Sequence, residues 1–215
     1  MKTICCIGTG PSLTLQQIDA ARSGGFVLFG CNLVYQDVPD LALFYGVNLA
    51  FYEHYWDKGL REHPAEKWTT NKRVVDDFDG MHWIAEPPGQ PSEHRMGLST
   101  DPNMIHHGHG SGGSLVSMAY RSGADRIILL GYDMKYAPDY DGLAKKIGST
   151  QRHYFPGGEY PANMQHWPSD QVWGGKHVQL IDWYRSIKKQ GLVEIINCTP
   201  GSAIDCFPMM DIGDL

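Results

Sequence analysis

The chain opens Met1-Lys-Thr-Ile-Cys-Cys-Ile-Gly-Thr-Gly-Pro-Ser-Leu13, and this stretch decides the fold class. Residues 3–7 are a short apolar run of the kind that makes a buried strand. Gly8, Thr9, Gly10, Pro11 and Ser12 then break it, and a helix-favouring segment follows over 14–22. Strand, glycine turn, helix is the unit that holds phosphate-bearing ligands: glycines let the backbone come close, and free amides at the helix start face the anion. Pro11 suits an early helical position, and Ser12 or Thr14 suits a cap. The spacing is not G-x-G-x-x-G and no P-loop lysine follows, so the stretch argues for an α/β fold more strongly than for a dinucleotide. A tight first turn without any ligand accounts for the same residues.

Outward from this unit, strands alternate with helices. Gly24-Gly25 stops the first helix. Residues 26–32 read as a second buried strand ending on Asn32. Residues 41–45 read as a third, followed by Asn48 and a helix over 49–56. Phe51, Tyr52, Tyr55 and Trp56 fall at helical spacing and read as core. Asn32 and Asn48 each follow an apolar strand, where open α/β sheets bind ligands; the amide offers donors and acceptors that suit a base or ribose, or it caps a turn. Between 57 and 110 the pattern is weak, with short strands expected over 73–78 and 81–85 and an irregular Pro87–Pro91 run. His106, His107 and His109 invite a metal reading, but no carboxylate or cysteine completes a ligand spacing. The same residues lead instead into a second glycine turn, where Ser111, Gly112, Gly113 and Ser114 open a helix and offer free amides to an anion or ribose. Residues 126–133 are the clearest strand, with Asp133 at its carboxyl end. A lid is expected at about 134–173, rich in Tyr, Pro, Gly and His. An amphipathic helix over 176–189 and a strand over 193–198 complete the chain. The pattern predicts one α/β domain over 1–215, a three-layer Rossmann-like fold with a mostly parallel sheet and an irregular lid segment.

Composition narrows the function. The chain has 215 residues, 42% of them hydrophobic, and a formal net charge of -6. With a pI near 5.9 this argues against a nucleic-acid or anionic-membrane partner. The first apolar run is too short for a signal peptide, and no stretch reaches the length of a stable membrane anchor. Five cysteines, none in a C-x-x-C pair, read as small buried hydrophobes of a reducing compartment, which predicts a cytoplasmic protein.

The motifs also resemble a known family. Gly8-Thr-Gly-Pro-Ser-Leu13 resembles the opening G-x-G-P-S-L of bacterial sialyltransferases of glycosyltransferase family 42. Cys31-Asn32 resembles the Cys-Asn at the end of its second strand, and Phe44-Tyr45 with Asn48, then Phe51-Tyr-Glu-His-Tyr55, is similar to its third strand and aromatic helix. Ser111-Gly112, the following helix and Leu130-Gly-Tyr-Asp133 fit its S-G-helix-G-x-D segment. The same frame recurs in a wider 6-hydroxymethylpterin diphosphokinase-like group. The likeness covers roughly residues 1–56, 110–136 and 176–205. It implies a CMP-sugar donor, metal-independent transfer and no required cofactor. Thr9, Gly10, Asn32, Asn48, Ser111 and Gly112 would hold the nucleotide. The family's phosphate-holding tyrosine falls on Lys135, with Tyr136 adjacent and Tyr140 as a second. Its lid histidine has no aligned counterpart near Gly157, which leaves His166 or His177 as the base.

These expectations define a nucleotide-sugar glycosyltransferase with a small-molecule nucleotide donor, a glycan or small acceptor, and an oligomer compatible with the chain. Two rivals stand beside it. One is a Mg²⁺-dependent phosphotransferase using Asp133, Asp139 and Asp141 as metal ligands. The other is a nucleotide-binding module without chemistry.

Overall fold

A computed structural model describes residues 1–88, 95–108, 110–134 and 170–215, with the backbone alone for 170–177. The expected lid, with Lys135, Tyr136, Asp139, Tyr140, Asp141 and His166, lies outside the described residues, as does the side chain of His177.

Seven parallel strands form one sheet in the order β5-β4-β3-β2-β1-β6-β7. In chain order these are β1 Thr3–Ile7, α1 Leu15–Ser23, β2 Val27–Cys31, β3 Leu43–Tyr45, α2 Leu49–Tyr55 and β4 Glu66–Thr69. Then follow α3 Lys72–Asp77, β5 Met81–Trp83, α4 Ser111–Arg121, β6 Arg126–Leu130, α5 Asp170–Gln190 and β7 Glu194–Asn197. The chain steps outward from β1 to β5, then crosses back to lay β6 on the other side of β1. That reversal makes the β1–β6 pair the topological switch point, where the helices leaving two neighbouring strands diverge to opposite faces.

Burial on both faces explains the apolar strands. Cys5 and Ile7 point into one core, with Ile18 and Ala21 of α1, Phe51, Tyr52 and Tyr55 of α2, and Val74 of α3. Ile4 and Cys6 point into the other, with Leu115, Val116, Met118 and Ala119 of α4 and Trp183, Tyr184 and Ile187 of α5. The α2 aromatics are therefore core, as their spacing predicted. The outer edge of β7 is covered by the C-terminal segment, where Asn197 N donates to Pro208 O at 2.9 Å. Among the described residues no helix is long and apolar enough to cross a membrane.

Two local expectations change. The strand expected over 73–78 is instead the helix Lys72–Asp77, with Phe78 extended at its C-cap. The Asn71 side chain caps it by accepting Arg73 N at 3.1 Å, and Arg73 pairs with Asp77 at 3.5 Å one turn on. The Val74-Val75 pair suggested a strand, but of the helical residues only Val74 is buried. Pro11 lies in the turn before α1, and Thr14 is the cap, in a capping box with Gln17. Ser12 is used elsewhere.

Candidate functional site

Two glycine turns interlock at the switch point. Gly8 N donates to Leu130 O, and Gly10 N to Gly131 O, both at 2.8 Å, so the β1–β6 ladder continues past the strands. Side chains are excluded there. A Cβ on Gly8 would sit 2.8 Å from Gly131 O, and one on Gly10 would overlap the Asp133 carboxylate. Asp133 is 6% exposed. Its Oδ2 receives the Ser12 hydroxyl at 2.8 Å and faces Ser12 N at 3.4 Å. Asp133 thus pins the first turn to the end of β6. Thr9 is buried beside it, and Pro11 is exposed at the tip.

The C-terminal loop locks the same region from the β7 side. Tyr132 N donates to Thr199 Oγ1 at 2.9 Å, Ser202 Oγ to Tyr132 O at 2.6 Å, and Ala203 N to Asp133 O at 2.8 Å. Only two non-glycine residues among those described have positive φ: Asn32 at 53° and Met134 at 51°. They follow the carboxyl ends of β2 and β6, at the rim of the switch point. Left-handed backbone of this kind costs about 1–3 kcal/mol and concentrates at functional sites.

The start of α4 packs against the Tyr132 ring, as the first glycine turn does at Gly8. Gly110 is an extended N-cap without a side-chain cap bond. Ser111 and Gly112 are half-buried and Gly113 is buried. Tyr132 lies beneath this turn and donates its hydroxyl to Gly112 O at 3.0 Å. A Cβ on Gly113 would come within 2.9 Å of the Gly108 backbone. The glycines therefore permit close packing as well as leaving first-turn amides at the positive end of an eleven-residue helix. Burial pushes the Tyr132 and Tyr184 hydroxyls well above their ordinary values, so both are neutral at physiological pH.

Asn32 borders this cradle through its neighbour: Cys31 Sγ lies 3.8 Å from Ile7 O. Asn48 is exposed and caps α2, accepting Ala50 N at 3.0 Å. The structure thus brings Gly8, Thr9, Gly10, Ser12, Asn32, Ser111, Gly112, Gly113 and Asp133 to one edge of the sheet. Of these, Asp133 and Ser12 bind each other. His106 Nδ1 lies 2.9 Å from Gly97 O. Among the described residues no group of three His, Cys, Asp or Glu side chains could hold a metal ion.

A second concavity lies along the same edge, beyond β3, β4 and β5. It is an open concavity of about 640 Å³, lined by Thr70, Asn71, Lys72, Trp83, Glu86 and His107 among others. Its floor is tied to α4. The Tyr45 hydroxyl lies 3.2 Å from Thr70 Oγ1 and near Ser114, whose Oγ donates to His107 O at 2.9 Å. Burial first, and the Glu86 carboxylate second, push the Tyr45 phenol up to about 12. Sequence reasoning did not find this pocket. The one signal available was Asn71 ahead of Lys72, a cap that would have moved residues 73–78 from strand to helix and placed Thr70 to Lys72 at a strand end.

Comparison with protein-family models and with curated proteins found no match to this chain.

Proposed function

We propose that the chain is a nucleotide-sugar-dependent glycosyltransferase, sialyltransferase-like, which binds a CMP-type donor without a metal ion. The supporting observation is the pair of glycine turns at the β1–β6 switch point, the Gly8–Ser12 backbone and the uncapped start of α4, both packed on Tyr132. Phosphate would face the amides of Ser111, Gly112 and Gly113, which are oriented before any ligand arrives. Asn32, held in a left-handed conformation at the rim, would serve the ribose or base, with Asn48 farther out. Lys135, Tyr136 and Tyr140 are proposed to neutralise the departing phosphate, and His177 or His166 to take the acceptor proton. In that step the acceptor hydroxyl attacks the anomeric carbon. The bond from that carbon to the phosphate oxygen breaks, CMP leaves with the electron pair, and the histidine receives the proton. The five cysteines are free thiols and four are buried, which supports a reducing, cytoplasmic location.

Calorimetric titration with CMP, CDP, UMP, GMP and ATP, each with and without Mg²⁺, tests this reading. Metal-independent binding selective for CMP is expected, followed by slow hydrolysis of a CMP-sugar. Binding of ATP alone, and only with Mg²⁺, would replace the proposal with phosphotransfer. CMP binding without turnover of any donor would leave a binding module.

A further inference from the structure

We infer that the pocket beyond β3, β4 and β5 binds a neutral pyranose sugar, and that this sugar is the acceptor of the transfer. The acceptor role rests on the glycosyltransferase reading; the sugar binding does not.

At about 640 Å³ the cavity falls within the range of small-molecule sites. Trp83 is its defining surface. The residue is 44% exposed at the end of the edge strand, yet its ring is held in place. Its Nε1 donates to Thr70 O at 3.3 Å, and Lys72 Nζ stands 4.8 Å from the ring centroid. Lys72 takes part of the ring, and the exposed remainder of a fixed indole suits a ligand with a flat C–H face, because the negative ring face attracts the weakly positive C–H groups of a pyranose.

The charges argue for neutrality. Lys72 and Glu86 line one small pocket with opposite signs. An anionic ligand would gain from Lys72 and lose to Glu86, and a cationic one the reverse, so neither sign draws a net attraction. Sugar hydroxyls both donate and accept, so neighbouring hydroxyls can serve the ammonium and the carboxylate at once. The Asn71 side chain adds polar lining while its own position is fixed: Nδ2 donates to Val47 O at 3.0 Å and Oδ1 accepts Arg73 N.

Placement supports the acceptor role. His107 lines the pocket, and its carbonyl accepts the Ser114 hydroxyl in the first turn of α4. The pocket and the phosphate-facing amides therefore share one turn of helix, the adjacency that transfer between two bound reactants requires.

The test uses the full chain with methyl glycosides of glucose, galactose, mannose and N-acetylglucosamine. N-acetylneuraminic acid and glucosamine serve as charged comparators. Binding is read by saturation-transfer NMR and tryptophan fluorescence. Saturable binding of at least one neutral glycoside is expected, weakened about tenfold by Trp83→Ala and severalfold by Glu86→Gln, with CMP affinity, which reports the folded protein, unchanged in both. Binding of none of the neutral glycosides, binding of charged sugars only, or affinity untouched by Trp83→Ala would each overturn the site. Sugar binding that persists in a protein with no CMP affinity would keep the pocket and remove its acceptor role.

Discussion

The cradle at β1–β6 and the pocket at β3–β5 share one edge of one sheet but are built in opposite ways. The cradle is made of backbone. Its contacts are glycine amides and carbonyls at 2.8 Å, with one carboxylate driven into the gap. The pocket is made of side chains, several of them half-exposed, from residues that span 47 to 107. A backbone site holds its shape almost without freedom and tolerates no added atom. A side-chain site tolerates substitution and tunes its chemistry residue by residue.

That contrast breaks most readily at Gly10. Gly10→Ala puts a methyl group into the Asp133 carboxylate and against Gly131 O. A loss of about 2–4 kcal/mol in urea denaturation, with loss of nucleotide binding, is the expected result. Wild-type stability in this variant would show that the turns do not interlock.

Acid should separate the two halves. His63 braces the strands beneath the pocket: Nε2 lies 2.9 Å from Val38 O and Nδ1 accepts Ala65 N at 3.2 Å. Burial, and secondarily the Lys67 cation, holds its imidazole below the usual 6.5, with the Val38 carbonyl and Asp40 opposing. The folded form therefore binds fewer protons than the unfolded one. The stabilisation is complete above pH 6.5 and is lost as pH falls through the depressed value. Protection against hydrogen exchange, taken relative to the intrinsic rate at each pH, should fall between pH 7 and 5 at the β3 and β4 amides before those of β1 and β6, and His63→Gln should level the difference. A uniform loss of protection would count against this brace.

Tyr45→Phe probes the link between the two sites. It removes the hydroxyl that meets Thr70 and Ser114, at a cost of about 1 kcal/mol in thermal or chemical unfolding. CMP affinity in that variant should change less than glycoside affinity. Equal changes in both would make the pocket and the cradle one unit.

The smallest effect is expected from thiol chemistry. Burial lifts the Cys31 thiol to about 12 and Cys198 to about 11, and Cys206 is the least buried of the five. A thiol reagent should label Cys206 first in the native protein, and Cys206→Ser should leave binding at both sites unchanged. Early labelling of Cys31, directly beside Asn32, would mean that the cradle opens.

How far the sequence could be read follows the same division. β1, β2, β6 and β7 are legible because strands buried on both faces must be continuously apolar, as in Thr3–Ile7 and Arg126–Leu130. The glycine turns are legible because close backbone approach admits no other residue. β4 was not legible: its Glu-Lys-Trp-Thr sequence lies one strand from the edge, where Lys67 keeps its ammonium on the carbonyls of His63 and Ala65. The role of Asp133 was half legible. A carboxylate at a strand end reads as a ligand for substrate or metal, and nothing local says that its partner is Ser12. The pocket left no motif because its residues converge only once three strands are aligned.

The Ser12–Asp133 bond also has a consequence for biosynthesis. The two residues are 121 positions apart. At roughly 5–20 residues added per second, the first turn waits on the order of ten seconds for its partner. During that interval β1 has β2 beside it and nothing on its other side. A growing chain therefore carries a bare, sticky strand edge at its oldest end until β6 emerges. Nascent chains stalled before residue 126 should be the ones that recruit chaperones or aggregate, and those stalled after the closing segment has been made should not.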